Sequence, residues 1–206
     1  MSDKIHYRSF EPRDGELRSL VENDQMVIEG YAAKFGTKSH LLSDRGGRGY
    51  YEVLEPGLFR DHLSDDVAFT YNHLKETVMA HTRNKTLTLS EDEVGLKFRA
   101  VLNNTTDSKN VFERVSRGEL VETSFGYHEN LAKQKLDRVA GSEPILRISG
   151  IQDLFDVSVV TRAAYPNTEV YTRDLKEFEA EEPKKQYDSA PYQRELELIK
   201  LKNNID

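Results

Sequence analysis

Gly118–Tyr127 reads GELVETSFGY, and how this stretch is placed decides how the rest of the chain is read. As an extended strand it sets Val121, Thr123, Phe125 and Tyr127 on one face and Leu120, Glu122, Ser124 and Gly126 on the other, because successive side chains of a strand alternate. The first face is apolar enough to pack inward. Ser124 is then expected to look outward, beside a glycine that leaves room for a second backbone. A lone serine so placed can equally be a small residue on a crowded strand, so its chemistry depends on what other segments bring to it.

Upstream, Thr105 or Thr106 can cap a helix whose Val111, Phe112 and Val115 form an apolar stripe, and Gly118 stands where a left-handed C-terminal residue is wanted. Thr86–Ser90 and Gly95–Leu102 form a hairpin with EDEV as its turn. In DVAFTYNHLKE, Val67, Phe69, Tyr71 and His73 share one face by period two, so His73 is expected to continue an apolar row at a strand's end. MVIEGYAAKF, from Met26, has small or apolar residues on both faces, as a strand covered on both sides should. YYEVL (Tyr50–Leu54) is strand-like, and Glu55-Pro56-Gly57 opens a short helix carrying Leu58, Phe59, His62 and Leu63. Ser39–Gly49 reads as a flexible loop.

Downstream, Leu131–Glu143 is polar and irregular and reads as a loop. Ile145–Ile151 and Leu154–Val160 (LFDVSVV) are two more strands, and Pro166 ends the run. Six to eight short strands with two or three short helices indicate an α+β, mainly β fold, a β-barrel or strongly curved sheet with peripheral helices.

The apolar residues concentrate between about Val27 and Val170. This predicts a polar lead-in over 1–23, a core domain over 24–171, and a charged linker with a short helix over 172–206. The formal net charge of -7 argues against a nucleic-acid surface, which wants clustered Lys and Arg. The absence of cysteine excludes disulfides, thiolate zinc sites and a cysteine nucleophile. No apolar run of about 18 residues and no signal-peptide core is seen, so an intracellular protein that does not engage a membrane is expected.

A serine hydroxyl needs a base within hydrogen-bond reach, itself oriented by a third group. His73 is the best base, since imidazole titrates near neutrality. Asp156, one carboxylate inside the apolar run LFDVSVV, is the best orienter, because a buried carboxylate asks for a partner. Each also has a purely structural reading: a scaffold histidine, or a carboxylate bonded to nearby backbone. No G-x-S-x-G elbow is present. Zinc is the rival chemistry, through His73, Glu76 and His81 with His40 and His62 elsewhere. Their spacing is not H-E-x-x-H and matches no compact helical ligand pair, so neither a metal nor a cofactor is expected. A third reading has no chemistry, an acidic β-domain used as a capsid scaffold or adaptor.

In order, the segments EGYAAKFG, YEVLEPGLF, AFTYNHLKETVMAHTRNKTLTL, EVGLKFRAVL, VSRGELVETSFGY and DLFDVSVVTRAAYPNTEV resemble the prohead maturation proteases of tailed bacteriophages, over roughly Glu29–Tyr171. The resemblance implies a serine peptidase with a β-barrel like that of the herpesvirus assembly protease. It implies His73 of the Asn72-His73 pair as base, Ser124 of Ser124-Phe125-Gly126 as nucleophile, and Asp156 as third member, where relatives carry glutamate or histidine. Arg162 falls where the herpesvirus enzymes place an oxyanion arginine. The implied substrates are the scaffold, the scaffolding domain of the major capsid protein precursor, and the chain itself, cleaved inside the procapsid in the host cytoplasm.

Overall fold

Alternating apolar residues build most of the chain into strands. In the computed structural model, which describes residues 5–10, 17–138 and 140–161, the order begins β1 (Ile5–Phe10), β2 (Arg18–Glu22), β3 (Gln25–Lys34), β4 (Leu42–Ser43) and β5 (Gly49–Leu54). It continues with β6 (Ala68–Tyr71), β7 (Ala80–His81), β8 (Leu87–Glu91) and β9 (Gly95–Val101), then helix α1 (Thr106–Ser116). The last strands are β10 (Glu122–Glu129), β11 (Gln134–Asp137), β12 (Ile145–Ile148) and β13 (Ile151–Val160).

These strands form a five-stranded sheet of order β1-β10-β13-β6-β7 and two four-stranded sheets, β11-β12-β5-β4 and β2-β3-β9-β8. The fold is mainly β, as the sequence indicates. No closed barrel is detected among the described residues: in none of the three sheets does the strand order return to its first strand. Alternation dictates which face of a strand is buried, whereas closure depends on which edges meet far apart in sequence.

The core lies between the five-stranded sheet and the β2-β3-β9-β8 sheet. Phe69 on β6 meets Phe98 on β9 with ring centroids 5.2 Å apart, and Thr123 Oγ1 on β10 donates to the Tyr31 carbonyl on β3 at 2.7 Å. Val27, Ile28, Ala32 and Ala33 of β3 are all buried, as expected for a strand covered on both sides. The β8–β9 hairpin forms with Leu87 opposite Ala100 and Leu89 opposite Phe98.

Helix α1 starts as its sequence directs. The Thr105 hydroxyl accepts from the Ser108 amide at 3.3 Å, Val111 and Val115 are buried, and Gly118 reverses the chain at φ +70°. Burying each valine contributes roughly 1.5–3 kcal/mol, enough to hold a helix of this length that would be marginal alone. The other helical pieces among the described residues, Arg60–His62 and Leu131–Lys133, are single 3-10 turns. The helix expected near residues 191–203 lies outside the described residues.

Three polar stretches are more ordered than their composition indicates, two through paired charges and one through a carboxylate that accepts backbone amides. Residues 5–10 and 18–22, inside the expected lead-in, form β1 and β2. Arg8 is buried in β1 because its guanidinium grips Glu52 on β5, with Nη2 donating to Oε1 at 2.7 Å and Nε to the other oxygen. Burial works to lower the Arg8 pKa, but Glu52 outweighs it and holds the guanidinium charged. His6 lies 3.2 Å from Glu129 on β10, both fully buried. In the expected loop Leu131–Glu143, β11 pairs with β12, and Arg147 Nε donates to Asp137 at 2.5 Å. In Ser39–Gly49, Asp44 Oδ1 accepts from the amides of Gly46 and Arg48, both at 2.8 Å, which closes a tight turn.

Candidate active site

Register places the polar residues of three strands on one face. Ser124 on β10 stands opposite Ser158 on β13, which stands beside Thr70 on β6; Gly126 stands opposite Asp156, beside Ala68. Directly opposed residues share a face, so Ser124, Ser158, Thr70 and Asp156 gather on one side. Phe125, Val157 and Phe69 fill the core on the other, each 0–1% exposed.

The reading of GELVETSFGY needs correction on two points. Ser124 does not look outward into open space but is 0% exposed, and β10 is buried on both faces; Val121 precedes the strand and is half exposed. Gly126 does not leave room for an incoming backbone. A Cβ there would come within 2.8 Å of the rings of Tyr7 and Phe155, so the glycine makes way for the protein's own side chains.

His73 also departs from its period-two reading. β6 ends at Tyr71, and Asn72 and His73 take φ of +52° and +58° in a turn closed by the Leu74 amide donating to the Tyr71 carbonyl at 3.1 Å. The apolar row Val67, Phe69, Tyr71 therefore stops, and the turn brings the imidazole to the face that carries Ser124. Left-handed backbone costs roughly 1–2 kcal/mol per residue, less for asparagine. The turn is held against that cost. The Asn72 amide donates to the Val159 carbonyl at 3.0 Å, the His73 amide to Ser158 Oγ at 3.0 Å, and Asn72 Oδ1 accepts from the Thr161 amide at 2.9 Å.

His73, Ser124 and Asp156, separated by tens of residues, are thereby brought together. His73 Nδ1 lies 2.5 Å from Asp156 Oδ1, and Nε2 lies 2.7 Å from Ser124 Oγ. A neutral imidazole carries one N–H. The carboxylate can only accept, so Nδ1 holds the proton and Nε2 accepts from the serine hydroxyl. Asp156 Oδ2 accepts from Thr70 Oγ1 at 2.7 Å. Tyr7 on β1 lies against the imidazole with ring centroids 4.1 Å apart. Burial first, and the Asp156 charge second, raise the Tyr7 hydroxyl above its ordinary pKa, so it stays a neutral phenol.

Arg162 lies outside the described residues. Sequence reasoning missed Tyr7, Thr70 and Ser158. Tyr7 sits in a segment that looks like a polar lead-in. The two hydroxyls carried a signal that was legible once strands were assigned, since Thr70 follows Ala68 and Phe69 and Ser158 stands between Val157 and Val159. Among the described residues no group of three or more His, Asp or Glu could hold a metal ion, and no helix is long and apolar enough to cross a membrane.

A carboxylate, an imidazole and a hydroxyl in series, on a mainly β scaffold, are the arrangement of a serine hydrolase. Residues 14–182 match the caudovirus prohead serine protease family, and the chain belongs to it. Strand β1 precedes the matched region. No curated protein sequence matches the chain. Among solved structures the chain is similar to the bacteriophage T4 capsid assembly protease, gp21, with a TM-score of 0.50 and 10% identity, over 77% of this chain and 97% of that one. At that identity the likeness speaks to the fold.

Proposed function

We propose that the chain is a serine endopeptidase of phage capsid maturation, with Ser124 as nucleophile, His73 as general base and Asp156 as the group that orients the base. The observation that carries this reading is the 2.7 Å contact between His73 Nε2 and Ser124 Oγ, made while Nδ1 is held by Asp156 at 2.5 Å. Ser124 Oγ attacks the scissile carbonyl carbon as its proton passes to Nε2. The imidazolium formed is stabilised by Asp156 and returns that proton to the departing amine, leaving an acyl group on Ser124. Water, deprotonated by the same nitrogen, then releases the acid and restores the hydroxyl.

Family membership supports a substrate set drawn from the assembling capsid: the scaffold, the scaffolding domain of the major capsid protein precursor, and the chain itself, inside the procapsid in the host cytoplasm. No nucleic-acid or membrane partner enters the reading. Arg162 is assigned the oxyanion on resemblance alone, and the division into a lead-in, a catalytic domain over 24–171 and a charged tail over 172–206 is proposed on composition.

The test is co-expression with the capsid protein precursor. Ser124→Ala is expected to abolish processing, a loss of roughly four or more orders of magnitude in rate, with an unchanged circular-dichroism spectrum and melting temperature. Undiminished processing by a stable Ser124→Ala chain would return the protein to the reading of an acidic β-domain that acts as scaffold or adaptor.

A further inference from the structure

We propose that Thr70 and Ser158 are positioning residues of the candidate triad, one hydrogen-bond chain through their hydroxyls tying the backbone of His73 to the far oxygen of Asp156. This rests on the peptidase reading of the same site and adds two residues that neither the motifs nor the family resemblance assigns.

Each hydroxyl has one proton, and the distances say where it goes. Asp156 Oδ2 can only accept, so the Thr70 proton is spent on it at 2.7 Å. The single Ser158 proton is then shared between two acceptors of one residue, Thr70 Oγ1 at 2.9 Å and the Thr70 carbonyl oxygen at 3.0 Å. Ser158 Oγ in turn accepts from the His73 amide at 3.0 Å. The chain runs from the His73 N–H to Ser158, from the Ser158 hydroxyl to the hydroxyl and carbonyl oxygens of Thr70, and from the Thr70 hydroxyl to Asp156, so each member holds the next in place.

Two buried hydroxyls that met only each other would be ordinary strand packing. Here both ends of the chain land on triad members, and both hydroxyls are fully buried at 0–2% exposure. The consequence is geometric. Asp156 has two oxygens; with Oδ2 held by Thr70, rotation about the carboxylate bond is arrested and Oδ1 is presented to Nδ1. His73 sits in a turn whose backbone is left-handed at φ +58°, and Ser158 anchors its amide so that the ring cannot relax away from Ser124. Their hydrogen bonds go to the Asp156 carboxylate, the His73 amide and each other.

Diisopropyl fluorophosphate tests this without knowledge of the substrate. Ser124 Oγ forms a bond to phosphorus as the P–F bond breaks, fluoride leaves, and the hydroxyl proton passes to His73 Nε2, so the labelling rate reads nucleophile activation directly. Thr70→Val keeps the shape and removes the hydroxyl. It is expected to slow labelling of Ser124, and kcat for processing of the capsid precursor, by about ten- to a hundredfold with KM unchanged, as misplacement of a catalytic group does. Thr70→Ser, which restores the hydroxyl but not the methyl, should recover the rate to within about threefold; a merely structural role would show no such rescue. Should Thr70→Val fail to fold, Ser158→Ala gives the same reading through the other link. A wild-type chain that is labelled, with a folded Thr70→Val or Ser158→Ala labelled equally fast, overturns this inference alone. A wild-type chain that neither labels nor processes overturns the peptidase reading, and this inference with it.

Discussion

Strands β10 and β13 between them contribute to two histidine–aspartate pairs, and only one belongs to the proposed triad. His128 on β10 sits opposite Asp153 on β13 with Nδ1 to Oδ1 at 2.6 Å, nearly the 2.5 Å of His73 and Asp156. The Asp153 side chain is 51% exposed and that of Asp156 8%. Asp156 has its second oxygen held by Thr70, and the other nitrogen of His73 meets a serine hydroxyl. Among the described residues His128 Nε2 has no such partner. An exposed ion pair contributes about 0–1 kcal/mol and is screened by salt. The distance between imidazole and carboxylate therefore says little about function. What differs is burial of the carboxylate, the support of its second oxygen, and a nucleophile across the ring.

The contrast is broken most decisively at the histidines. His73→Gln should cost roughly four or more orders of magnitude in the rate of capsid-precursor processing, whereas His128→Gln should leave it within about twofold. Equal losses at the two positions would mean that the pairs do not differ as described. At the carboxylates, Asp156→Asn keeps the shape but presents the wrong hydrogen-bonding group to Nδ1, so a loss of roughly two to four orders of magnitude is expected, with Asp156→Glu milder. Asp153→Asn, measured in the same assay, should change nothing.

Gly126→Ala tests the packing above the site rather than the triad itself. Its Cβ would meet the Tyr7 and Phe155 rings at 2.8 Å, so thermal unfolding should register a loss of about 1–3 kcal/mol. Displacing Tyr7 should also loosen the imidazole it lies against. An unchanged melting temperature would show that the rings are free to move aside.

The smallest effect concerns a carboxylate that serves stability alone. Burial alone would raise the Asp44 pKa, but hydrogen bonds from the Arg48 amide and side chain and the Gly46 amide outweigh it and hold it below its ordinary value. A group with a depressed folded pKa stabilises the protein fully above its unfolded value, about 4, and loses that contribution as pH falls through the lower folded value. The melting temperature should fall on acidification below about pH 4, and Asp44→Asn should flatten that fall while leaving processing at neutral pH intact. An identical acid limb in the variant would remove Asp44 from the titration.

How much of the site was legible follows from what each residue's signal depended on. Ser124 and Asp156 are legible as candidates because a hydroxyl beside Phe125-Gly126 and a carboxylate inside LFDVSVV stand out against apolar neighbours. His73 was found for a reason the structure revises. Its place in a period-two row would have put it with Phe69 on the core side, and only the left-handed turn at Asn72 and His73 carries it to the serine. Tyr7 was invisible because β1 buries charges as pairs, and a strand stabilised by Arg8 with Glu52 has no apolar alternation to read.

From the sequence by itself came the mainly β composition, the capped helix that leads into β10, the hairpin of β8 and β9, and the three candidate side chains that the fold brings together, because propensity, capping and alternation act over a few residues. The tertiary structure decided the order of the strands in three sheets, the burial of Ser124, the turn that delivers His73, and the register that aligns Ser124 with Ser158 and Thr70 and Gly126 with Asp156. Each of these depends on which strand lies beside which, and hydrogen bonds between strands distant along the chain leave no period in the residues that make them.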